Sequence, residues 1–144
     1  MTQSRLTESA KKMLGNANPA VISTVRSDGQ PVSAATWYLL RGDQLLVNMD
    51  EGRIRLAHIR SDPRVSLTVL DGGDWYTHVT VIGRVAKIYD DEGLADIDAL
   101  SRHYTGKPYG NRDRARVSAL IDVDRVSGWG AQKNNSQATG RPTN

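Results

Sequence analysis

The sequence of 144 residues contains no cysteine and no phenylalanine, and it carries only a small excess of positive charge, formally +3. Without cysteine there is no disulfide, no thiolate nucleophile and no zinc–cysteine site, and the simplest location is the cytoplasm. A surplus of three charges is too small to point to nucleic acid. No apolar run approaches the roughly 20 residues of a membrane span. The first twenty residues, "MTQSRLTESAKKMLGNANPA", lack the apolar centre of a signal peptide. The three histidines, His58, His78 and His103, are scattered without metal-ligand spacing. There is no GxSxG elbow, no P-loop and no GxGxxG after a strand. Any difficult chemistry is therefore expected to belong to a bound cofactor.

What is present reads as one domain, residues 1–130, followed by a flexible polar tail, 131–144. "SRLTESAKKML" places Leu6, Ala10, Met13 and Leu14 at helical spacing before the stop "GNANP". "AVISTVRSDGQPVSAATWYLLRGDQLLVNM" alternates β-branched and polar residues around turns at Ser27–Gln30 and Arg41–Gln44, which predicts a three-stranded antiparallel meander. "RVSLTVLD" and the long "YTHVTVIGRVAKIY" predict two more strands, with Gly83 marking a bend or bulge. "DDEGLADIDALSRHY" predicts a helix capped at Asp90 or Asp91, with Leu94, Ile97, Leu100 and Tyr104 on one face. "TGKPYGNRDRAR" reads as loop and "VSALIDVDRVSGWG" as a last strand. The expected fold is α+β, mainly β: a six-stranded antiparallel split β-barrel with short flanking helices.

Between two strands lies "NMDEGRIRLAHIRSDPRV". Pro63 must end a two-turn helix there, so Arg53 and Arg55 stand at the helix start and Arg60 toward its end. Guanidinium groups beside the unpaired N–H groups of a first turn make an anion site, and the same charges also suit a merely solvated face. Asp50 and Glu51, at the same N-terminus, would compete with an anion. Trp37, Trp75 and Trp129 near strand ends are either core or ligand contacts. The small residues of "SAATW", Ser33 to Trp37, either admit a flat ring against the strand or simply pack closely. His78 and Tyr76 are either proton donors or ordinary strand residues, and the basic run "KPYGNRDRAR" either folds over an anionic ligand or is solvated surface, the preferred reading.

In order and spacing, "AVISTVRSDGQPVSAATWYLL", "GRIRLAHIRSDPRVSLTVLD", "VTVIGRVAKI" and "IDVDRVSGWG" resemble the pyridoxamine 5′-phosphate oxidase-like split β-barrel family. The closer likeness is to its flavin/deazaflavin-dependent oxidoreductase branch found in actinobacteria. The resemblance implies a homodimer with cofactor sites in grooves between two barrels, a flavin-type ring against the first strands, and a phosphate at the start of the short helix. By position, Arg53 and Arg55 match the phosphate-holding residues, Val47, Asn48 and Met49 the strand along the ring, and Ser33, Thr36 and Trp37 the facing strand. Trp75 matches an aromatic near the partner's site.

The resemblance implies a cytoplasmic oxidoreductase that passes hydride from reduced deazaflavin coenzyme F-420 to a small unsaturated or quinone-like acceptor. The alternatives are an FMN-dependent oxidoreductase of the same fold, or a flavin- or haem-binding carrier without turnover. Such a protein needs ring and acceptor held together and water kept out, so no acid–base side chain is expected to be indispensable. No metal, nucleic acid or membrane partner is expected.

Overall fold

The computed structural model describes residues 5–135. Its elements are, in order, helix α1 (Glu8–Leu14), strands β1 (Ala20–Val25), β2 (Pro31–Thr36), β3 (Leu39–Arg41) and β4 (Gln44–Asp50), helix α2 (Ile54–Ser61), strands β5 (Arg64–Asp71) and β6 (Asp74–Asp90), helix α3 (Ala95–Thr105) and strand β7 (Arg116–Trp129). The sheet is antiparallel, in the order β2-β1-β5-β6-β7-β4-β3. Among the described residues no helix is long and apolar enough to cross a membrane.

The strand count is seven rather than six, and the expected meander does not form. β1 pairs with β2 and β3 with β4, with turns at the two expected places, but β2 and β3 lie at opposite edges of the sheet. Only Trp37 and Tyr38 separate them, and Thr36 to Leu39 is three Cα steps, no more than about 11 Å. The sheet must therefore curl until its two edges nearly meet without pairing, which is the split in a split barrel. Tyr38 plugs the join: its side chain is fully buried, and its hydroxyl donates to the Asn16 carbonyl at 3.1 Å.

The barrel interior is filled by alternate residues of the strands, among them Ile22, Leu45, Val47, Met49, Leu67, Val69, Val79, Val81 and Ile121. A second, smaller cluster, formed by Leu46, Ile97 and Leu100, lies under α3. β4 is thus covered on both faces, which is why Leu45 to Met49 are all buried.

Gly83 sits at a register shift of β6 against β7, as expected of a bulge. A Cβ there would lie 2.0 Å from the Asp122 carbonyl oxygen, so the two backbones approach closely only because the residue is glycine. A second shift follows between Val85 and Lys87, so the inward alternation runs through Val79, Val81, Gly83 and half-buried Val85 and leaves Lys87 exposed. Past the expected domain boundary, Gly130–Asn135 forms a 3-10 turn with Gln132 buried and the Ala131 N–H donating to Thr77 Oγ1. Regular structure therefore runs beyond residue 130; the rest of the expected tail, 136–144, lies outside the described residues.

Candidate functional site

A groove of about 590 Å³ opens between the β2–β3 join, β4, α2, α3 and the start of β7. Its apolar wall is built around Trp37, whose ring stacks on Tyr104 at 5.3 Å with planes 13° apart and meets Tyr109 edge-on at 6.4 Å. Ile97 and Leu100 of α3 complete that wall. Tyr104 donates its hydroxyl to the Asn18 carbonyl at 2.7 Å, and burial pushes its phenol up to about 12, so it stays protonated and positional.

The polar side is cationic. Arg55, in the first turn of α2, and Arg116, at the start of β7, both line the groove. The Nε of Arg55 is buried and has no hydrogen-bond partner. Burial, together with the charges of Arg53 and Arg116, lowers its guanidinium below the usual arginine value. An orphaned buried donor costs about 1–3 kcal/mol, a cost that a bound anion would remove. The residues thus fit a ligand with a phosphate at the α2 end and a flat apolar body along the Trp37 wall.

Asn48 organises this side. Its Oδ1 accepts from Arg116 Nε at 2.7 Å, while its Nδ2 donates to Asp91 Oδ2 and to Ser118 Oγ, both at 3.0 Å. Asp91 in turn accepts from the backbone N–H groups of Asp96 and Ile97, capping the first turn of α3 from outside the helix. Asp96 accepts from Ser118, Tyr89 and Arg41. The carboxylates expected to compete for an anion are otherwise disposed: Asp50 accepts from the Gly52 N–H at 2.7 Å and pairs with Arg114 at 3.0 Å, and Glu51 is exposed.

Of the residues singled out from the sequence, Thr36, Trp37, Asn48 and Arg55 come together here. Val47 and Met49 flank Asn48 but point the other way, buried in the barrel core, so their side chains are closed to a ligand. Arg53 precedes α2 and lines the neighbouring clefts rather than this groove. Ser33 is exposed on β2 and shares a 2.7 Å hydrogen bond with Ser23. Trp75 is 65% exposed on the β5–β6 hairpin, stacked on Tyr76 and away from the groove lining.

Tyr104, Tyr109 and Arg116 were not singled out as site residues. In the sequence Tyr104 shows only as one member of an apolar helix face, and of the two readings of "KPYGNRDRAR" solvation is the preferred one. Tyr109 and Arg116 of that run line the groove, with the guanidinium 4.8 Å from the Tyr109 ring centre. Among the described residues no cluster of three His, Asp or Glu is placed to hold a metal ion.

A sequence profile of the pyridoxamine 5′-phosphate oxidase family matches residues 6–130. The chain belongs to that family. No curated protein matches the chain. Among solved structures, an F-420 reductase superposes with a TM-score of 0.78 at 26% identity, over 85% of this chain and 98% of the other. A conserved hypothetical protein of Mycobacterium tuberculosis gives 0.69 at 22% identity, over 100% and 95%. A haem-binding protein of Mycobacterium smegmatis gives 0.64 at 20% identity, over 90% of this chain and 55% of the other. The last two show that this pyridoxamine 5′-phosphate oxidase family member shares their fold, and no more.

Proposed function

We propose that the groove binds a flavin-type cofactor and that the protein is an oxidoreductase using coenzyme F-420, reducing a small unsaturated or quinone-like acceptor. The observation that carries this reading is the buried, unpartnered Nε of Arg55 at the cationic end of a groove whose other wall is the flat Trp37–Tyr104 stack. The likeness to an F-420 reductase at 26% identity supports deazaflavin over FMN. FMN shares the phosphate and the flat ring, and an FMN-dependent oxidoreductase is the alternative.

In this reading Arg55 holds the phosphate, with Arg53 adding charge at the same helix start. Thr36 and Trp37 line the ring, and Ser33, farther back on the same strand, supports it through its hydrogen bond with Ser23. The backbone of Val47 and Met49 flanks Asn48, while their side chains keep β4 fixed against the core. When bound, reduced deazaflavin supplies a hydride. The protein's own contribution is then orientation and exclusion of water, because Tyr104 stays protonated and Trp37, Ile97 and Leu100 carry no titratable group.

We also propose a homodimer. Trp75, Tyr76 and Trp129 are 65%, 62% and 57% exposed, large aromatic surface of a kind that a subunit contact covers. Trp75 belongs in this reading beside the partner's groove. A single-subunit mass in size-exclusion chromatography with light scattering refutes the shared-site arrangement.

The deciding experiment is titration of the purified chain with coenzyme F-420 and with FMN, followed by fluorescence. Saturable binding with F-420 the tighter ligand is expected. Tighter FMN binding transfers the reading to the alternative, and binding of neither overturns both. A visible spectrum with haem added covers the carrier reading, since a Soret shift without flavin binding would support it.

A further inference from the structure

We propose that Arg116 is a second anion-contacting residue of the groove, presented by Asn48, so that a phosphoryl group is held between Arg55 and Arg116. This rests on the reading of the groove as an anion site and deepens it. The two residues come from α2 and β7, and nothing in their sequence spacing links them.

The argument is one of unmatched charge. The buried and half-buried carboxylates around the two guanidiniums, Asp50, Asp91 and Asp96, already have partners, and Glu51 is exposed and paired with neither arginine. Asp50, the register partner of Arg116 across β4 and β7, is taken by Arg114 and the Gly52 N–H. Asp91 is taken by the first turn of α3 and by Asn48, and Asp96 by Arg41, Tyr89 and Ser118. Among the described residues neither Arg55 nor Arg116 has an ion-pair partner.

Arg116 is nonetheless held in place. Its Nε is fixed by Asn48 at 2.7 Å and its plane by the Tyr109 ring, with one terminal nitrogen 3.4 Å from the Tyr109 hydroxyl. That leaves terminal N–H donors facing the same groove as Arg55. Two like charges in one partly buried cavity repel unless a ligand of acceptors alone lies between them, and a phosphoryl group offers three such oxygens. Asn48 is suited to present Arg116 because it is neutral. An aspartate in its place would satisfy the guanidinium and cancel the attraction for a ligand.

Arginine-labelled wild-type protein, titrated with inorganic phosphate and followed by the Nε–H signals in 1H–15N spectra, tests this without any variant. Both Arg55 and Arg116 signals are expected to shift with one dissociation constant. A shift of Arg55 alone, or of neither, overturns the proposal. If both shift yet neither F-420 nor FMN binds, the proposal stands and the cofactor reading falls. If a cofactor binds while Arg116 is unmoved, the reverse holds.

Variants supply the second test. Arg116→Met is expected to weaken FMN about tenfold or more and leave riboflavin, which lacks the phosphate, unchanged. Arg84→Met, which removes a charge paired with Asp124 outside the groove, is expected to change neither. Equal loss of FMN and riboflavin affinity in Arg116→Met overturns the proposal. Asn48→Leu is expected to weaken FMN selectively as well, and to add nothing in the double variant with Arg116→Met. An additive loss there removes Asn48 from the presenting role.

Discussion

The indole of Trp37 lies stacked on the phenol ring of Tyr104, 5.3 Å between centres and 13° from parallel. Trp37 belongs to the two-residue join between β2 and β3, and Tyr104 to the last turn of α3, so the stack ties the open seam of the barrel to the helix that roofs it. The Tyr104 hydroxyl reaches on to the Asn18 carbonyl at 2.7 Å and anchors the chain leading into β1. One aromatic pair thus shapes the groove and closes the seam.

Trp37→Ala is accordingly expected to lower stability and to weaken flavin-type ligands together. Loss of the stack, about 0.5–1.5 kcal/mol beyond the burial it accompanies, brings the total to about 2–3 kcal/mol for a half-buried tryptophan. Urea denaturation measures the first effect and fluorescence titration of F-420 or FMN the second. Full stability in the variant contradicts the role of the stack in the seam.

Arg55→Met separates binding from folding. Removing a guanidinium whose Nε is buried without a partner relieves an unmet donor, so stability is expected to rise by about 1 kcal/mol. Ligand affinity is expected to fall by about 1.5–3 kcal/mol, the range of a charge-assisted hydrogen bond. Denaturation midpoints and dissociation constants moving in opposite directions identify a binding residue; a joint fall marks Arg55 as structural.

Asp96 sets an acid limit. Burial by itself would raise its carboxyl, but hydrogen bonds from Ser118, Tyr89 and Arg41 outweigh burial and hold it below the ordinary value. Because the folded state binds the proton more weakly than the unfolded state does, this contribution is fully present above the unfolded value of about 3.9. It is lost as the pH falls through the folded value. Asp96→Asn is expected to cost about 2 kcal/mol near neutral pH, and the gap to wild type is expected to close as the pH falls below about 4. Thermal midpoints across that range measure it, and a constant gap argues against the assignment.

Gly83→Ala tests the bulge. With a Cβ 2.0 Å from a backbone oxygen in a paired strand, neither partner moves without breaking the ladder. A loss of about 3 kcal/mol or more is expected, read by denaturation. Gly29→Ala, at a turn with nothing within 4 Å but a φ of +89°, is expected to cost less, since only backbone strain opposes it.

Much of this was legible in the chain. Alternation gave the strands of the barrel, the residue before Pro63 closed α2 on time, and the two Gly-bearing turns fell where Ser27–Gln30 and Arg41–Gln44 predict them. The error at Trp37–Tyr38 has a plain cause. "VSAATWYLL" reads as one continuous strand, with no Gly or Pro between its halves, and no local signal says that they pair with opposite edges of the sheet. β4 shows the same limit: the resemblance assigns Val47, Asn48 and Met49 together to the ring, whereas period-two geometry sends Asn48 to the groove and the other two into the core.

The sequence by itself determined the elements other than the break between β2 and β3, the turns, the basic start of α2 and membership in a split-barrel family, because these depend on periodicity, on turn chemistry and on motif order along the chain. Only the tertiary structure decided which charges are free. Arg114 and Arg116 are two residues apart in a loop-like basic run, yet folding gives one a carboxylate at Asp50 and leaves the other with an amide at Asn48. Local sequence cannot say so, because the availability of a charge depends on which partners the fold brings within reach.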